Sequence, residues 1–547
     1  MCISRPGRLG FAAMSNEPVG VLIVGAGASG AAFAWSMAET GTSILCLEQG
    51  PWMHQKDYPT NHLDWESRAM GPFATSPNVR NLPYDYPVNE EQSDISPLMY
   101  NAVGGSTILW AAHFPRLQPC DFRVKSDDGV AADWPVDYAA LEPYFAVNDR
   151  MMGIAGLAGD PNYPYHEPPL PPLPLGRGGN LMAEGFGKLG WHWWPSESAI
   201  ITREYEGRAP CINLGPCTSG CSQGARASTD ITYWPVARRK GVEVRTGCRV
   251  KEVTVRPDGL ADGVLYYAAE GVLQEQKAEI VVLACNGIGT PRLLLNSKSP
   301  QHPYGLANSS GLVGKNLMFH PCAMVTGVFD EPLQGRRGPI GCSFWSHEFY
   351  RTDLERGFVR GYSLQARRGL GPAQTALWGM SRGSISWGEG HHEAYDRLYD
   401  HNAGLIVIGE DLPEETNTVT LDPELTDSHG IPAPKLNYRL SANSRKMLDH
   451  GIERASEALK AAGAVETMAD PLMRGAGWHL LGTARMGTDP KTSVVNEWGR
   501  AHDVKNLFII DGSIFVTAGA VNPTSTIQAL ALYIADRIKQ NIEVLFE

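Results

Sequence analysis

Read as a pattern of apolar and polar positions, the chain opens its first recognisable unit at Val19–Val24, VGVLIV, six residues without a polar side chain. A short unbroken apolar run next to glycine predicts a strand buried on both faces. Small and apolar residues then recur through AGASGAAFAWSMAET, and they predict a helix to about Thr40. A second apolar run, Ser43–Leu47, predicts a partner strand that ends at Glu48. Between the first strand and the helix stand Gly25, Gly27 and Gly30, in G-x-G-x-x-G order, with Ser29 in the same turn. Gly25 suits the tight turn. Gly27 lets backbone approach a pyrophosphate, whose charge the helix start favours. Gly30 lets helix and strand pack closely. Glu48 is placed to accept hydrogen bonds from an adenosine ribose, and its charge disfavours a 2′-phosphate. The unit predicts a dinucleotide site, for FAD or NAD.

Later segments extend the pattern. Extended runs near residues 242–267, VEVRTGCRVKEVTV and ADGVLYYA, predict a β-meander. Ala278–Gly287 predicts a strand returning to the first sheet, and the alternating runs between residues 418 and 440 predict further strands. A strand at Leu507–Ile510 runs into Asp511 and Gly512. A small-residue loop then reaches Asn522, Pro523 and Thr524, and a helix continues from Ser525. Proline suits that helix start. The proline-rich stretch Tyr163–Gly179 predicts extended backbone, read as a surface linker. There is no internal repeat.

Composition narrows the function classes. The 547 residues carry a net charge of −12 and no basic stripe, which argues against nucleic acid. No apolar run approaches the roughly 18 residues that a transmembrane helix needs. The N-terminal MCISRPGRLGFAAM makes a poor secretory signal. The final IEVLFE resembles a protease-tag remnant with one departure and is left out of the fold reading. Ten cysteines are too sparse for a disulfide scaffold, yet Cys211, Cys217 and Cys221 fall within eleven residues. A disulfide, a metal, a redox cluster and chance all remain open for them. His391 and His392 look like metal ligands, but adjacent residues on one element suit tetrahedral ligation poorly.

Seven stretches in order carry a family resemblance. They are the glycine turn, VGGSTILWAAHFPRL at Val103–Leu117, GIGTPRLLLNS at Gly287–Ser297 and VGKNLMFHP at Val313–Pro321. The others are GEDLPEETNTVTLDP at Gly409–Pro423, HLLGTARMG at His479–Gly487 and NPTSTIQAL at Asn522–Leu530. The chain resembles the glucose–methanol–choline (GMC) flavoprotein oxidoreductases, from Val19 to about Lys539. Within them it is most similar to catalytic subunits of gluconate, fructose and FAD-dependent glucose dehydrogenases. The resemblance implies an α/β fold, α+β overall. A Rossmann-type FAD-binding domain comes from segments 19–125, 206–325 and 471–540. A substrate domain with a mainly antiparallel sheet covered by helices comes from 126–205 and 326–470.

The resemblance also implies site residues. His479 takes the position of the catalytic base and Asn522 that of the second active-site residue. Gly104, Gly105, Ser106, Trp110, Val250, Asp511, Gly512, Pro523 and Thr524 join the glycine turn and Glu48 in holding FAD. Some members tether the flavin through a histidine just before the tryptophan of the second motif. Leu109 stands there and cannot form that bond, so the flavin is expected to be non-covalent. In the similar dehydrogenases, cysteines at the spacing of Cys211, Cys217 and Cys221 bind a [3Fe-4S] cluster. That implies electron transfer to a cytochrome or quinone and a small accessory subunit. Such catalytic subunits cross the membrane with a signal-bearing partner, so a periplasmic or a cytoplasmic location both fit. The expected reaction is oxidation of a sugar, sugar-acid or polyol hydroxyl. The rivals are a non-sugar primary alcohol, such as an aryl alcohol or polyether, and a non-catalytic electron carrier.

Overall fold

The computed structural model describes residues 17–339, 341 and 343–542. Both terminal expectations, at MCISRPGRLGFAAM and at IEVLFE, lie outside these residues.

Two sheets dominate. The first is built around Val19–Val24, which pairs in parallel with Ile44–Leu47 on one side and with Leu273–Leu283 on the other. Glu243–Arg245 extends the parallel part beyond Ile44–Leu47, and Leu507–Ile509 extends it beyond Leu273–Leu283. Its central strands are buried over Val21–Val24 and Ile280–Leu283, and the helices Ala28–Met37 and Thr524–Asn541 pack against each other in the same domain. Leu273–Leu283 is long enough to serve two partners. Its second half joins the parallel sheet, and its first half pairs antiparallel with Ala261–Tyr267, which pairs in turn with Arg249–Val255. The meander is therefore shorter than the sequence suggested. Glu243–Arg245 leaves it for the parallel sheet, where a half-buried edge position tolerates its charges.

The second sheet is antiparallel and has six strands. Its centre is Cys322–Val328, Asn402–Gly409 and Tyr362–Arg367. Helices Gly176–Leu189 and Ala442–Ala461 cover one face, with Leu364, Ala366, Leu405 and Val407 in a separate apolar core. The other face is what builds the site. Side chains alternate along a strand, so Ser363, Gln365 and Arg367 share the face opposite Leu364 and Ala366. The runs between residues 418 and 440 form a third sheet of three strands with Asn89–Ser93. The proline-rich stretch is extended up to Leu175. The helix Gly176–Leu189 then begins inside its last residues, where the prolines have ended.

Candidate active site

The glycine turn is locally enforced. Gly25 has φ +103°, and a Cβ there would lie 2.5 Å from the carbonyl oxygen of Ala284. A Cβ on Gly30 would lie 2.1 Å from the oxygen of Gly25. Any larger residue forces helix and strand apart. At Gly27 a Cβ would meet nothing within 4 Å, because that position faces a cavity. No side chain caps the helix that starts there, which leaves its first N–H groups for an anion.

That cavity, of about 500 Å³, runs from the Rossmann turn to the face of the antiparallel sheet. Gly25, Gly27, Ser29, Glu48, Gly105, Ser106, Trp110, Val250, Asp511, Gly512, Asn522, Pro523, Thr524 and His479 all line it. Gly30 and Gly104 stand behind the lining and shape the turns. The Glu48 carboxylate accepts hydrogen bonds from the N–H groups of Ala26 (2.9 Å) and Gly50 (2.8 Å), so it ties the turn together as well as facing the cavity. Burial raises its pKa to about 7. Asp511 accepts from the N–H of Asn286 and the hydroxyl of Thr290, which locks the last segment to the helix Asn286–Asn296. The shape and donors fit a dinucleotide: a cradle at Gly27, an uncapped helix start and a buried acid one strand away.

At the other end, His479 and Asn522 meet. Asn522 Nδ2 lies 3.4 Å from His479 Nε2. Two residues that the sequence reading left without a role fix this pair. His320 Nε2 is 2.7 Å from the carbonyl oxygen of Gly519. A carbonyl only accepts, so His320 carries its proton on Nε2 and leaves Nδ1 as an acceptor. His320 Nδ1 is 2.9 Å from His479 Nδ1, so the shared hydrogen belongs to His479. The His479 Nε2 lone pair is therefore turned to Asn522 and the cavity. Gln365 Nε2 donates to Asn522 Oδ1 at 2.6 Å, which turns the Asn522 amide nitrogen toward His479. Burial, with His320 adding to it, holds the His479 pKa well below the usual histidine range. Burial also lowers His320 to about 4. Both rings are neutral at neutral pH. The signal for Gln365 was present in the sequence as a polar alternate position in YSLQAR. His320 sat inside a motif already singled out, VGKNLMFHP, with nothing local to mark it.

The cysteine loop lies beside this site. Cys217 lines the large cavity, and Cys211, Cys217 and Cys221 together line a second cavity of about 20 Å³. Cys211 and Cys221 are free thiols. Among the described residues, no three His, Cys, Asp or Glu side chains form a group that holds a metal ion. The donor chemistry suits an iron–sulfur cluster. His391 and His392 stand exposed at the start of a surface helix.

Sequence and fold comparisons agree with this architecture. Residues 179–322 and 413–531 match the GMC oxidoreductase family, and residues 23–83 match an NAD(P)-binding Rossmann-like domain. The chain is 43% identical over 536 residues to 2-methyl-1,2-propanediol dehydrogenase of Mycolicibacterium austroafricanum, covering 96% of each chain. It is 29% identical to the fructose dehydrogenase large subunit of Gluconobacter japonicus, covering 97% of this chain and all of that one. The solved structure of pyridoxine 4-oxidase from Mesorbium loti superposes with a TM-score of 0.68 over 95% of this chain and 99% of that one, at 17% identity. The family and the Rossmann-like segment together imply FAD. With relatives matched along nearly its whole length, the chain belongs to the GMC oxidoreductases, enzymes that act on alcohol groups.

Proposed function

We propose that this protein oxidises a hydroxyl of a small diol, polyol or sugar to the carbonyl, with His479 as the base. One observation carries the reading: the proton chain from His320 through His479 leaves Nε2 of His479 as an acceptor, engaged only by the long 3.4 Å contact from the Asn522 amide, in the cavity that reaches the Rossmann turn. FAD, when bound, supplies the hydride acceptor. His479 Nε2 accepts the hydroxyl proton. Asn522 Nδ2 donates to the substrate oxygen and holds it in place as charge develops there. The 43% identical relative is named for a small diol, which supports placing small diols ahead of aryl alcohols. The paired His479 and Asn522 argue against a purely electron-carrying flavoprotein. The test is a panel of diols, polyols, sugars and aryl alcohols with an artificial acceptor, followed by identification of the carbonyl product. Turnover confined to aryl alcohols, or no turnover at all, overturns the reading.

The pH profile follows from the His479 environment. Its neutral form is favoured by burial, so protonation begins only below the usual histidine range. The rate of flavin reduction is expected to hold a plateau from above neutrality down through pH 6.5 and to fall only at more acid pH. A midpoint at or above 6.5 contradicts the buried-base assignment.

Leu109 is buried in an apolar cluster with Tyr58, Tyr100 and Ile108, and offers no nucleophile. Acid denaturation is therefore expected to release the flavin into the supernatant. Colour retained on the precipitated chain contradicts the non-covalent assignment.

We further propose that the loop carrying Cys211, Cys217 and Cys221 is the electron outlet. Three thiols around one cavity beside the large one support it. In this proposal the three cysteines hold a three-iron cluster that serves a cytochrome or quinone, with an accessory subunit. The 29% identical relative, named as a large subunit, supports such a partner. Protein purified anaerobically is expected to contain about three irons per chain and to lose them in Cys217→Ser. Iron-free protein that fully reduces a haem acceptor contradicts it.

A further inference from the structure

Arg367 lies at the end of the strand Tyr362–Arg367, on the same face as Gln365. It lines the large cavity and is half-buried, with part of its surface open to that space. Its guanidinium makes no ion pair or hydrogen bond with the described residues. Burial alone lowers its pKa to about 10, with no charged neighbour pulling either way. The next residue shows the contrast. Arg368 points to the other side and donates to the carbonyls of Gly338 and Pro174. Glu66, the carboxylate at the start of the helix Pro372–Ser381, is engaged by the N–H groups of Ala373 and Gln374.

A half-buried guanidinium that lines a cavity without a protein partner is partly desolvated and uncompensated, which a ligand's opposite charge would offset. In a chain of net charge −12, carboxylates to pair with it were abundant, yet none faces it. Arg367 is placed two residues along one strand from Gln365, which itself holds Asn522. Two residues of strand span about 7 Å. Arg367, His479 and Asn522 line the same cavity, so one small molecule in it faces all three. Arginine presents a planar fork that suits an oxyanion bidentately.

We propose that the substrate of this enzyme carries an oxyanion, a carboxylate or a phosphate monoester, and that Arg367 binds it while the hydroxyl lies against His479 and Asn522. This rests on the alcohol-oxidising reading above and adds the substrate class: a hydroxy acid or a polyol phosphate. Arg367 acts on selection and orientation. The proton and hydride steps stay with His479 and FAD.

The test compares molecules that differ only in charge. Holoenzyme is assayed anaerobically for flavin reduction with glycerol, glycerate and glycerol 3-phosphate, and with glucitol and gluconate. The expected result is a kcat/KM about ten- to a hundredfold higher for one charged member than for its neutral partner, the range for a hydrogen-bonded charge pair. Preference for glycerate or gluconate identifies a carboxylate, and preference for glycerol 3-phosphate a phosphate. In Arg367→Met the ratio is expected to collapse toward one, and Arg367→Lys to restore part of it. Succinate, which has no hydroxyl to oxidise, provides a second readout: it is expected to perturb the flavin spectrum of wild type at concentrations where Arg367→Met shows no change. Equal ratios in wild type and Arg367→Met, together with no spectral response to succinate, overturn the proposal. If neutral polyols reduce the flavin and charge gives no preference, only the Arg367 assignment fails. If no member of either series reduces it, the alcohol-oxidising reading fails instead.

Discussion

His479→Ala is expected to bind FAD normally and fold normally, and to reduce the flavin with substrate about 10²- to 10⁴-fold more slowly, the range for a lost general base. The size follows from the local geometry. His479 Nε2 is the acceptor that the His320 chain turns toward Asn522 and the cavity, and its neutral form is favoured by burial. Fold integrity follows from position: His479 contributes a ring to the cavity wall, not to either apolar core. His320→Ala is the informative companion. It leaves the base in place but frees its tautomer and ring orientation, so the loss of rate is expected to be smaller and to come with a shifted acid limb. Stopped-flow reduction of both variants across pH separates the roles. Near-normal reduction in His479→Ala removes it as the base.

The largest structural effect is expected at Arg360. Its guanidinium contacts three carboxylates in the protein interior: Asp121 at 2.5 Å, Glu410 at 2.6 Å and Asp128 at 2.8 Å. Burial pushes the Glu410 carboxyl up against the pull of Arg360. Asp121 also accepts from the Tyr350 hydroxyl, and Tyr350 in turn accepts from the N–H of Ala520. The cluster thus braces the loop that delivers the Gly519 carbonyl to His320 and the Asn522 side chain to His479. Arg360→Met leaves buried carboxylates uncompensated, which costs about 3–5 kcal/mol. Thermal unfolding is expected to shift several degrees lower, and the residual folded enzyme to reduce its flavin more slowly. Arg360→Lys keeps the charge but not the three-way fork, so it falls between the two. Unchanged thermal stability in Arg360→Met contradicts this account of the brace.

Local signals were legible in the sequence and long-range ones were not. The strand, glycine turn, helix and second strand from Val19 to Leu47 follow from contacts within a few residues; the strand boundaries fall within a residue of expectation, and the α-helix ends at Met37 with a 3-10 turn carrying it on to Thr40. The pairing of Glu243–Arg245 with Ile44–Leu47 depends on a partner about two hundred residues away, and its own pattern resembles a meander strand. At the site, motif context singled out His479 and Asn522. His320 lies 159 residues from His479, and its role exists only once Gly519 and His479 are brought to it. Gln365 and Arg367 stood out only as polar alternates in an otherwise apolar strand. Which face turned toward a cavity was fixed by the helices packed on the other side. The three cysteines show the opposite case. Their spacing was conspicuous, yet among the described residues they join no further His, Cys, Asp or Glu into a metal-holding group.

The central claim is that an alcohol proton leaves to His479 as the flavin is reduced. Anaerobic mixing of the holoenzyme with 2-methyl-1,2-propanediol, glycerol and glycerate, with flavin absorbance followed in wild type and in His479→Ala, tests it most directly. The account predicts that at least one of these bleaches the wild-type flavin within the turnover time, and that the same substrate bleaches the His479→Ala flavin at least about a hundredfold more slowly. Wild-type flavin that stays oxidised with every diol, polyol and hydroxy acid offered, or a variant that bleaches as fast as wild type, would contradict it.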